Sequence, residues 1–167
     1  MAEADKSGIV KRSAGFSRCR QYRYWLSREF AQGDGHCVFV GLNPSVGGVQ
    51  NDDPTIRRCM GFASEWGYRK LSVVNLFAFR TPSPAVLKQA DEPEGQGNRA
   101  ALRRLCTHAD RIVAAWGSHG THLDQCKKFS RLLGQYPLLC FGTTANHQPI
   151  HPLYQRRDAT LVPFSCI

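Results

Sequence analysis

The chain has 167 residues, of which 42% are hydrophobic and 21% charged, and its formal net charge is +9 at pH 7. This length fits one domain with a core large enough to fold without a metal or a disulfide, and the composition is too polar for a membrane protein. An excess of 22 basic over 13 acidic side chains favours a polyanionic partner, with nucleic acid as the leading candidate.

Seven cysteines stand at positions 19, 37, 59, 106, 126, 140 and 166. None belongs to a Cys-x-x-Cys pair or to the close Cys/His spacing of zinc sites, so no metal is expected. No apolar stretch of the signal-peptide kind follows Met1, and we therefore expect reduced thiols in a cytoplasmic protein. Cys37 and Cys140 fall in apolar runs and are predicted to be buried.

The first residues are small, polar and charged, which predicts a flexible N-terminal tail over residues 1–18 and a single α/β domain over residues 19–167. At the start of that domain, residues 19–30 mix aromatic side chains with arginines. This segment fits either an amphipathic helix or a short strand. Its arginines form a solvated face or contact phosphate groups.

Short apolar runs then alternate with segments of helical character. The predicted strands, buried on both faces, are residues 37–40, 71–75, 111–116 and 138–141. The predicted helices are residues 54–65, 98–108 and 123–133. This alternation predicts a three-layer α/β/α fold around a central, mainly parallel sheet of about four strands. A stretch rich in Pro, Gly and acidic residues, 81–97, is predicted to be a long loop.

Each predicted strand runs into glycine or polar residues. The four exits are Gly41-Leu42-Asn43-Pro44-Ser45, Asn75-Leu76-Phe77, Trp116-Gly117-Ser118-His119-Gly120 and Gly142-Thr143-Thr144-Ala145-Asn146. Turn chemistry explains any one of them, because Asn, Gly and Pro favour bends. Parallel sheets bind ligands beyond the carboxyl ends of their strands, so the four exits together predict one shared site.

The order of these exits, followed by His151-Pro152, resembles the uracil-DNA glycosylase superfamily, which has a three-layer α/β/α fold. From about Tyr22 onward the chain also resembles DUF1643, a family of unknown function. The second resemblance is carried by Gly41 to Ser45, Asp53-Pro54-Thr55-Ile56-Arg57-Arg58-Cys59, Asn75-Leu76-Phe77-Ala78 and His151-Pro152-Leu153-Tyr154.

The glycosylase resemblance implies a role for individual residues. Asn43 would position the attacking water and His151 would stabilise the charge that develops on the base, so these two are the implied catalytic residues. Asn75 would read the edge of a base flipped out of DNA, and Phe77 is our choice for stacking on that base. The predicted base-binding set is Gly41, Pro44, Ser45, Asn75 and Phe77, of which Phe77 is chosen because Phe77 and Phe79 alternate after Asn75.

Two departures from the superfamily pattern stand out. Ser45 replaces the glycine that ends the first motif in the mismatch-type enzymes. The second motif continues as Leu153-Tyr154-Gln155-Arg156-Arg157 rather than with small residues. Leu153 or Tyr154 would then be the wedge that enters the duplex.

Basic side chains beside the expected site are predicted to bind phosphate. Arg57 and Arg58 lie inside the start of the helix at 54–65, where backbone N–H groups also attract anions. The complete predicted set is Arg57, Arg58, Arg156 and Arg157. Asp52 or Asp53 is expected to cap that helix, and the alternative is that one of them supplies a carboxylate to the site.

The sequence therefore predicts a nucleobase- or nucleic-acid-binding protein of the glycosylase type, a monomer that removes a modified or damaged base from DNA. No metal, cofactor or membrane is expected. Two alternatives stay open, because a fold does not imply a function. One is a hydrolase or transferase that acts on a free nucleotide, and the other is a non-catalytic module that binds nucleic acid.

Overall fold

A computed structural model describes residues 8–166 and arranges them around one seven-stranded sheet. The strands are β1 (Ile9–Phe16), β2 (Arg23–Phe30), β3 (His36–Gly41), β4 (Lys70–Asn75), β5 (Arg111–Ala114), β6 (Leu138–Cys140) and β7 (Val162–Pro163). Their order across the sheet is β1-β2-β4-β3-β5-β6-β7. Strands β4, β3, β5 and β6 run parallel, whereas β1, β2 and β7 pair antiparallel with their neighbours.

The α/β class is confirmed, but the prediction of a mainly parallel sheet of about four strands was wrong, because the sheet is mixed and has seven. The apolar runs mark its parallel centre, whose strands are buried on both faces. Strand β1 is only partly buried and carries no continuous apolar run, so periodicity misses it. It lies inside the predicted tail over residues 1–18, of which residues 1–7 fall outside the described chain. Of the two forms open for residues 19–30, the structure has the strand, β2.

The helices are α1 (Pro54–Glu65), α2 (Pro84–Gln89), α3 (Asn98–Thr107) and α4 (Gln125–Leu133). Helix α2 lies within the predicted loop 81–97, where Ser83 caps it by accepting a hydrogen bond from Val86 N. Helix α4 begins two residues after its predicted start because Leu123 and Asp124 have positive φ angles of 53° and 56°. No helix in residues 8–166 combines the length and the apolar character needed to cross a bilayer.

Helices cover both faces of the sheet, as the side chains of β3 illustrate. Cys37 and Phe39 pack in the apolar cluster formed with α1, while Val38 and Val40 pack in the cluster formed with α3 and α4. Alternate side chains of a strand point to opposite faces, so this one strand separates two cores. Full burial of each such side chain contributes about 1.5–3 kcal/mol, which makes these clusters the main stabilising feature of the sheet.

Two buried arginines of β2 hold the connection between β3 and α1 above the sheet. Arg28 donates from Nη2 to Gly48 O at 2.7 Å and from Nε to Asp52 Oδ1 at 3.0 Å. Arg23 donates from Nη1 to Gly47 O at 2.9 Å. Because both guanidinium groups are almost fully buried, these bonds fix the connection at the carboxyl ends of the parallel strands.

A disulfide joins Cys126 of α4 to Cys166 beyond β7, which corrects the expectation that all thiols are reduced. Spacing alone could not pair two cysteines 40 residues apart that the fold brings to a Cα separation of 5.9 Å. Cys37 and Cys140 are buried, as predicted. Burial raises the pKa of the Cys37 thiol to about 12, so this cysteine stays unreactive at neutral pH.

His36 is expected to make the stability of the fold depend on pH. Its Nε2 lies 2.8 Å from Ser72 Oγ, and burial, with a smaller effect of Lys70, lowers its pKa from 6.5 to about 4. The unfolded chain therefore binds this proton more tightly, and the free energy of unfolding falls as the pH drops below the unfolded value. We expect a loss of about 1–2 kcal/mol between roughly pH 6.5 and 5, measured by urea unfolding. His36→Gln should remove most of that loss, and an unchanged slope in this variant would contradict the assignment.

Candidate functional site

A cavity of about 610 Å³ opens at the carboxyl ends of β3, β4 and β5, within the range of about 300–1,000 Å³ typical of small-molecule sites. All four predicted strand exits, the start of α1 and the His-Pro motif contribute to its described lining, the fourth exit through Thr144. Of the predicted catalytic and base-binding residues, the lining contains Gly41, Asn43, Ser45, Asn75 and His151. Residues far apart in sequence thus share one site, as expected where parallel strands end.

Two predicted base-binding residues lie elsewhere. Phe77 is fully buried in the core, with its ring centroid 5.6 Å from that of His122, so it cannot stack on a base in the cavity. Because β4 ends at Asn75, Phe77 lies beyond the strand, and its side chain packs in the core instead of at the strand exit. Pro44 is also buried, and its carbonyl accepts a hydrogen bond from Thr81 N at 2.9 Å. Its role is therefore to hold the loop.

Asn75, the last residue of β4, supplies a buried amide to the cavity. Its side chain is only 3% exposed, and its Nδ2 has no hydrogen-bond partner among the described residues. A Cβ on Gly41, its neighbour in β3, would lie 2.8 Å from Asn75 Oδ1, so the glycine leaves room for this amide. A buried unpaired polar group costs about 1–3 kcal/mol, and the fold retains this one in a cavity wall. The amide is therefore placed to pair with a ligand.

Asn43 joins two segments of chain and also faces the cavity. Its Nδ2 donates to the carbonyl oxygens of Thr81 at 2.8 Å, Pro44 at 3.1 Å and Phe79 at 3.2 Å. Three acceptors on one side identify which end of the amide is the nitrogen. Oδ1 accepts no hydrogen bond from a described residue, and the side chain lines the cavity. This oxygen is thus available to hold a water molecule.

Asn43→Ala is expected to lower the free energy of unfolding by about 2–3 kcal/mol, because three carbonyl oxygens lose their donor at once. Urea unfolding measures this loss. Ser45→Ala is the matched control, since Ser45 lines the same cavity without such bonds, and its effect should stay within about 0.5 kcal/mol. Equal stabilities of the two variants would show that Asn43 does not hold the loop.

The two aspartates before α1 have different roles. Asp52 accepts from Arg12 and from Arg28, each at 2.8 Å, and it is not part of the described lining. Asp53 caps α1, because its Oδ1 accepts from Ile56 N at 2.9 Å. Its Oδ2 has no partner in the described chain, and the residue lines the cavity. Asp53 therefore caps α1 and also contributes a carboxylate to the cavity lining.

His151 presents a neutral ring to the cavity. Its Nδ1 accepts from Leu153 N at 3.2 Å, which assigns the hydrogen of the neutral imidazole to Nε2. Burial lowers the pKa of His151, and the nearby Asp53 carboxylate opposes that shift. At pH 7 the ring is thus uncharged, and Nε2–H is a hydrogen-bond donor.

Arg23 is a lining residue that sequence reasoning missed. It begins β2 and is 2% exposed, and its Nε has no hydrogen-bond partner among the described residues. Burial lowers its pKa to about 10, an effect that Asp53 opposes, so the side chain remains a cation at pH 7. The only signal was the density of arginines in residues 19–30, and such arginines usually face solvent.

The four predicted phosphate-binding arginines lie outside the described lining of this cavity, and each has a partner within the chain. The pairs are Arg57 with Asp52 O, Arg58 with Gln155 O, Arg156 with Asp158 and Arg157 with Glu65. Arg57, Arg58 and Arg157 border a smaller pocket of about 260 Å³. Exposed ion pairs contribute only about 0–1 kcal/mol, so those of Arg156 and Arg157 are readily exchanged for a phosphate.

Tyr154 lies at the open side of the cavity. It is part of the lining and yet 81% exposed, and the neighbouring Leu153 is 38% exposed. The turn Pro152–Tyr154, which is capped by His151, presents both side chains to solvent. Either can therefore contact whatever part of a ligand extends out of the cavity.

Within residues 8–166, no group of three or more His, Cys, Asp or Glu side chains is placed to hold a metal ion. A protein family described as "protein of unknown function (DUF1643)" matches residues 23–153. This range contains all of the described lining residues other than Tyr154. No curated protein and no solved structure matches the chain.

Proposed function

The chain belongs to the DUF1643 family, whose function is unknown, and from the chemistry of its cavity we propose that it binds a nucleobase and hydrolyses the N-glycosidic bond that holds it. The observation that carries the proposal is the Asn75 amide, which is buried and whose Nδ2 is unpaired. A base presents donors and acceptors along one edge, and a carboxamide offers one of each. Apolar side chains such as Phe39, Val73 and Ile150 complete the lining and suit the faces of a flat ring.

The remaining lining residues supply the groups that this reaction needs. Breaking the bond leaves an oxocarbenium-like sugar and an anionic base. Asn43 Oδ1 and Asp53 Oδ2 hold a water molecule whose oxygen attacks C1′ of the sugar, and Asp53 takes the proton that the water loses. The electron pair of the C1′–N bond stays with the base, where the Nε2–H of His151 stabilises its charge. The products are a sugar with a 1′-hydroxyl group and a free base, which takes up a proton.

We further propose a uracil-DNA glycosylase-like fold and, as substrate, a modified or damaged base flipped out of DNA by the monomeric protein. The presence of Asn43, Asn75 and His151 in one cavity supports this, because the glycosylase resemblance assigns its chemistry to those positions. Tyr154, exposed at the open side, would fill the gap left in the duplex. Arg156 and Arg157 would exchange their carboxylate partners for backbone phosphates.

A hydrolase or transferase that acts on a free nucleotide is the second candidate. The observation that favours it is that all four arginines predicted to contact DNA are already paired inside the chain. A free nucleotide needs only the cavity. It requires no extended basic surface, so the internal pairs would persist.

Release of free base distinguishes these functions. Duplex and single-stranded oligonucleotides carrying uracil, hypoxanthine, xanthine or hydroxymethylated pyrimidines would be incubated with the wild type, and with Arg28→Gln as a variant outside the cavity. We expect both proteins to release one of these bases. Tight, salt-sensitive binding without release would identify a binding module, and activity or binding confined to free nucleotides would identify the second candidate.

A further inference from the structure

We propose that Arg23 and the first turn of α1 form a phosphate-binding subsite inside the cavity, so that its ligand is a nucleotide rather than a bare nucleobase. This inference rests on the proposed function, since it assigns a second chemical group of the same ligand. The glycosylase resemblance gives no role to Arg23, and the proposal depends on what surrounds this side chain.

Comparison with Arg28 shows what Arg23 lacks. Both arginines belong to β2, are at most 2% exposed and donate to the same loop. Arg28 also donates to Ser27 O and forms an ion pair with Asp52, so its charge is compensated. Arg23 donates one hydrogen bond, to Gly47 O, and it has an unpaired Nε and no ion pair with a carboxylate of the described residues. Asp53 offsets the charge of Arg23 in part but forms no ion pair with it, and an anionic ligand in contact with the guanidinium group would compensate the remainder.

Helix α1 adds a second source of positive potential at the same wall. Its first turn carries no acidic residue, and Thr55 and Ile56 line the cavity. Pro54 has no N–H group, and the N–H groups of Ile56 and Arg57 are bonded to Asp53, so the first turn offers an anion the N–H of Thr55 together with the dipole of a 12-residue helix. Asp53 lies in the same lining and opposes an anion, but its Oδ1 is held by Ile56 N. The negative charge of Asp53 is thus set against the guanidinium group of Arg23 and the positive end of the α1 dipole, and the net local charge is positive.

A phosphate is the anion that suits both this subsite and the rest of the cavity. Guanidinium groups bind phosphate through paired N–H donors, and helix starts do so through backbone N–H groups. The cavity of about 610 Å³ has room for more than a flat ring. With the base at Asn75, the phosphate of the same nucleotide would lie against Arg23 and Thr55.

Calorimetric titration tests this with four probes: a nucleoside, its 5′-monophosphate, a short single-stranded oligonucleotide of the same base, and inorganic phosphate. The wild type should bind the monophosphate about 10- to 100-fold more tightly than the nucleoside, the gain typical of a charge-assisted bidentate contact. Arg23→Gln should lose this preference while still binding the nucleoside. Arg28→Gln, which removes the other buried arginine of β2 that donates to this loop, should keep the preference. If the oligonucleotide binds more tightly than the monophosphate, the phosphate at this subsite belongs to a nucleic-acid strand. If the monophosphate binds more tightly, the phosphate belongs to a free nucleotide.

The outcomes separate this inference from the proposed function. If the wild type binds the nucleoside and its monophosphate equally, or if Arg28→Gln loses the preference as fully as Arg23→Gln, the subsite is wrong and base binding stands. If inorganic phosphate binds through Arg23 and no nucleoside binds, the anion site stands and the proposed function is wrong. If Arg23→Gln does not fold, Arg23→Lys takes its place, because lysine keeps the charge but loses the paired donors. A preference for the monophosphate weaker than that of the wild type would support the subsite, and an unchanged preference would contradict it.

Discussion

Replacing Asp53 with asparagine is expected to slow base release about 10²- to 10⁴-fold without unfolding the protein. The carboxylate Oδ2 is the group of the described lining that can accept a proton from water while also being fixed in place. Asparagine caps helices about as well as aspartate, so the bond to Ile56 N and the start of α1 should survive. Single-turnover release of base measures the rate, and urea unfolding measures the stability.

Asp52→Asn is the matched control for Asp53→Asn. It removes a neighbouring carboxylate that pairs with Arg12 and Arg28 and lies outside the described lining. This variant should be less stable, because it leaves the buried Arg28 without a charged partner, and yet release its base at nearly the wild-type rate once folded. If Asp52→Asn released base more slowly than Asp53→Asn, Asp53 would not be the general base.

Asn75→Ala is expected to weaken base binding about 100-fold, since a site that hydrogen-bonds its ligand loses affinity when one polar partner is removed. The same change should leave the free energy of unfolding unchanged or raise it, because it deletes a buried amide nitrogen that has no partner in the described chain. Binding titrations and urea unfolding on one sample measure both effects. A large loss of stability together with the loss of binding would make Asn75 structural.

Asn98→Ala is the matched control for Asn75→Ala. Asn98, the first residue of α3, is another buried asparagine, and its side chain contacts the end of β4. Asn98 is fully buried, and its Nδ2 donates to the carbonyl oxygens of Asn75 at 2.9 Å and Leu76 at 3.1 Å. Its removal should lower the free energy of unfolding by about 1–3 kcal/mol. The two asparagines would then differ in the sign or size of their stability effect, which separates a side chain kept for a ligand from one kept for the fold.

The centre of the fold could be predicted because strands buried on both faces need continuous apolar runs. The runs at 37–40 and 71–75 became β3 and β4, and the parallel order explains why their exits share an edge. The outer strands could not be found this way. β1 and β2 mix charged and apolar residues without a regular period, and their pairing with neighbouring strands rather than local sequence decides their conformation.

Some residues of the candidate site could likewise be predicted from local sequence, and others could not. Asn43, Asn75 and His151 stand next to glycine, proline or strand ends, where local sequence marks a turn. Arg23 and Phe77 carry no such mark. Whether an arginine within a strand faces solvent or a cavity depends on the loop packed over it, and Phe77 entered the core because β4 ended two residues earlier.

Local hydrophobicity and turn chemistry were enough to predict the α/β class, the buried parallel centre and the polar exits that meet at its carboxyl edge. Contacts between distant segments were needed to define the mixed seven-stranded sheet, the Cys126–Cys166 pair and the presence of Asp53 rather than Asp52 in the cavity lining. The packing also leaves the Nε of Arg23 unpaired, whereas Arg28 forms an ion pair with Asp52. Burial, charge compensation and hydrogen-bond partners arise between segments far apart in the chain, and no local pattern records them.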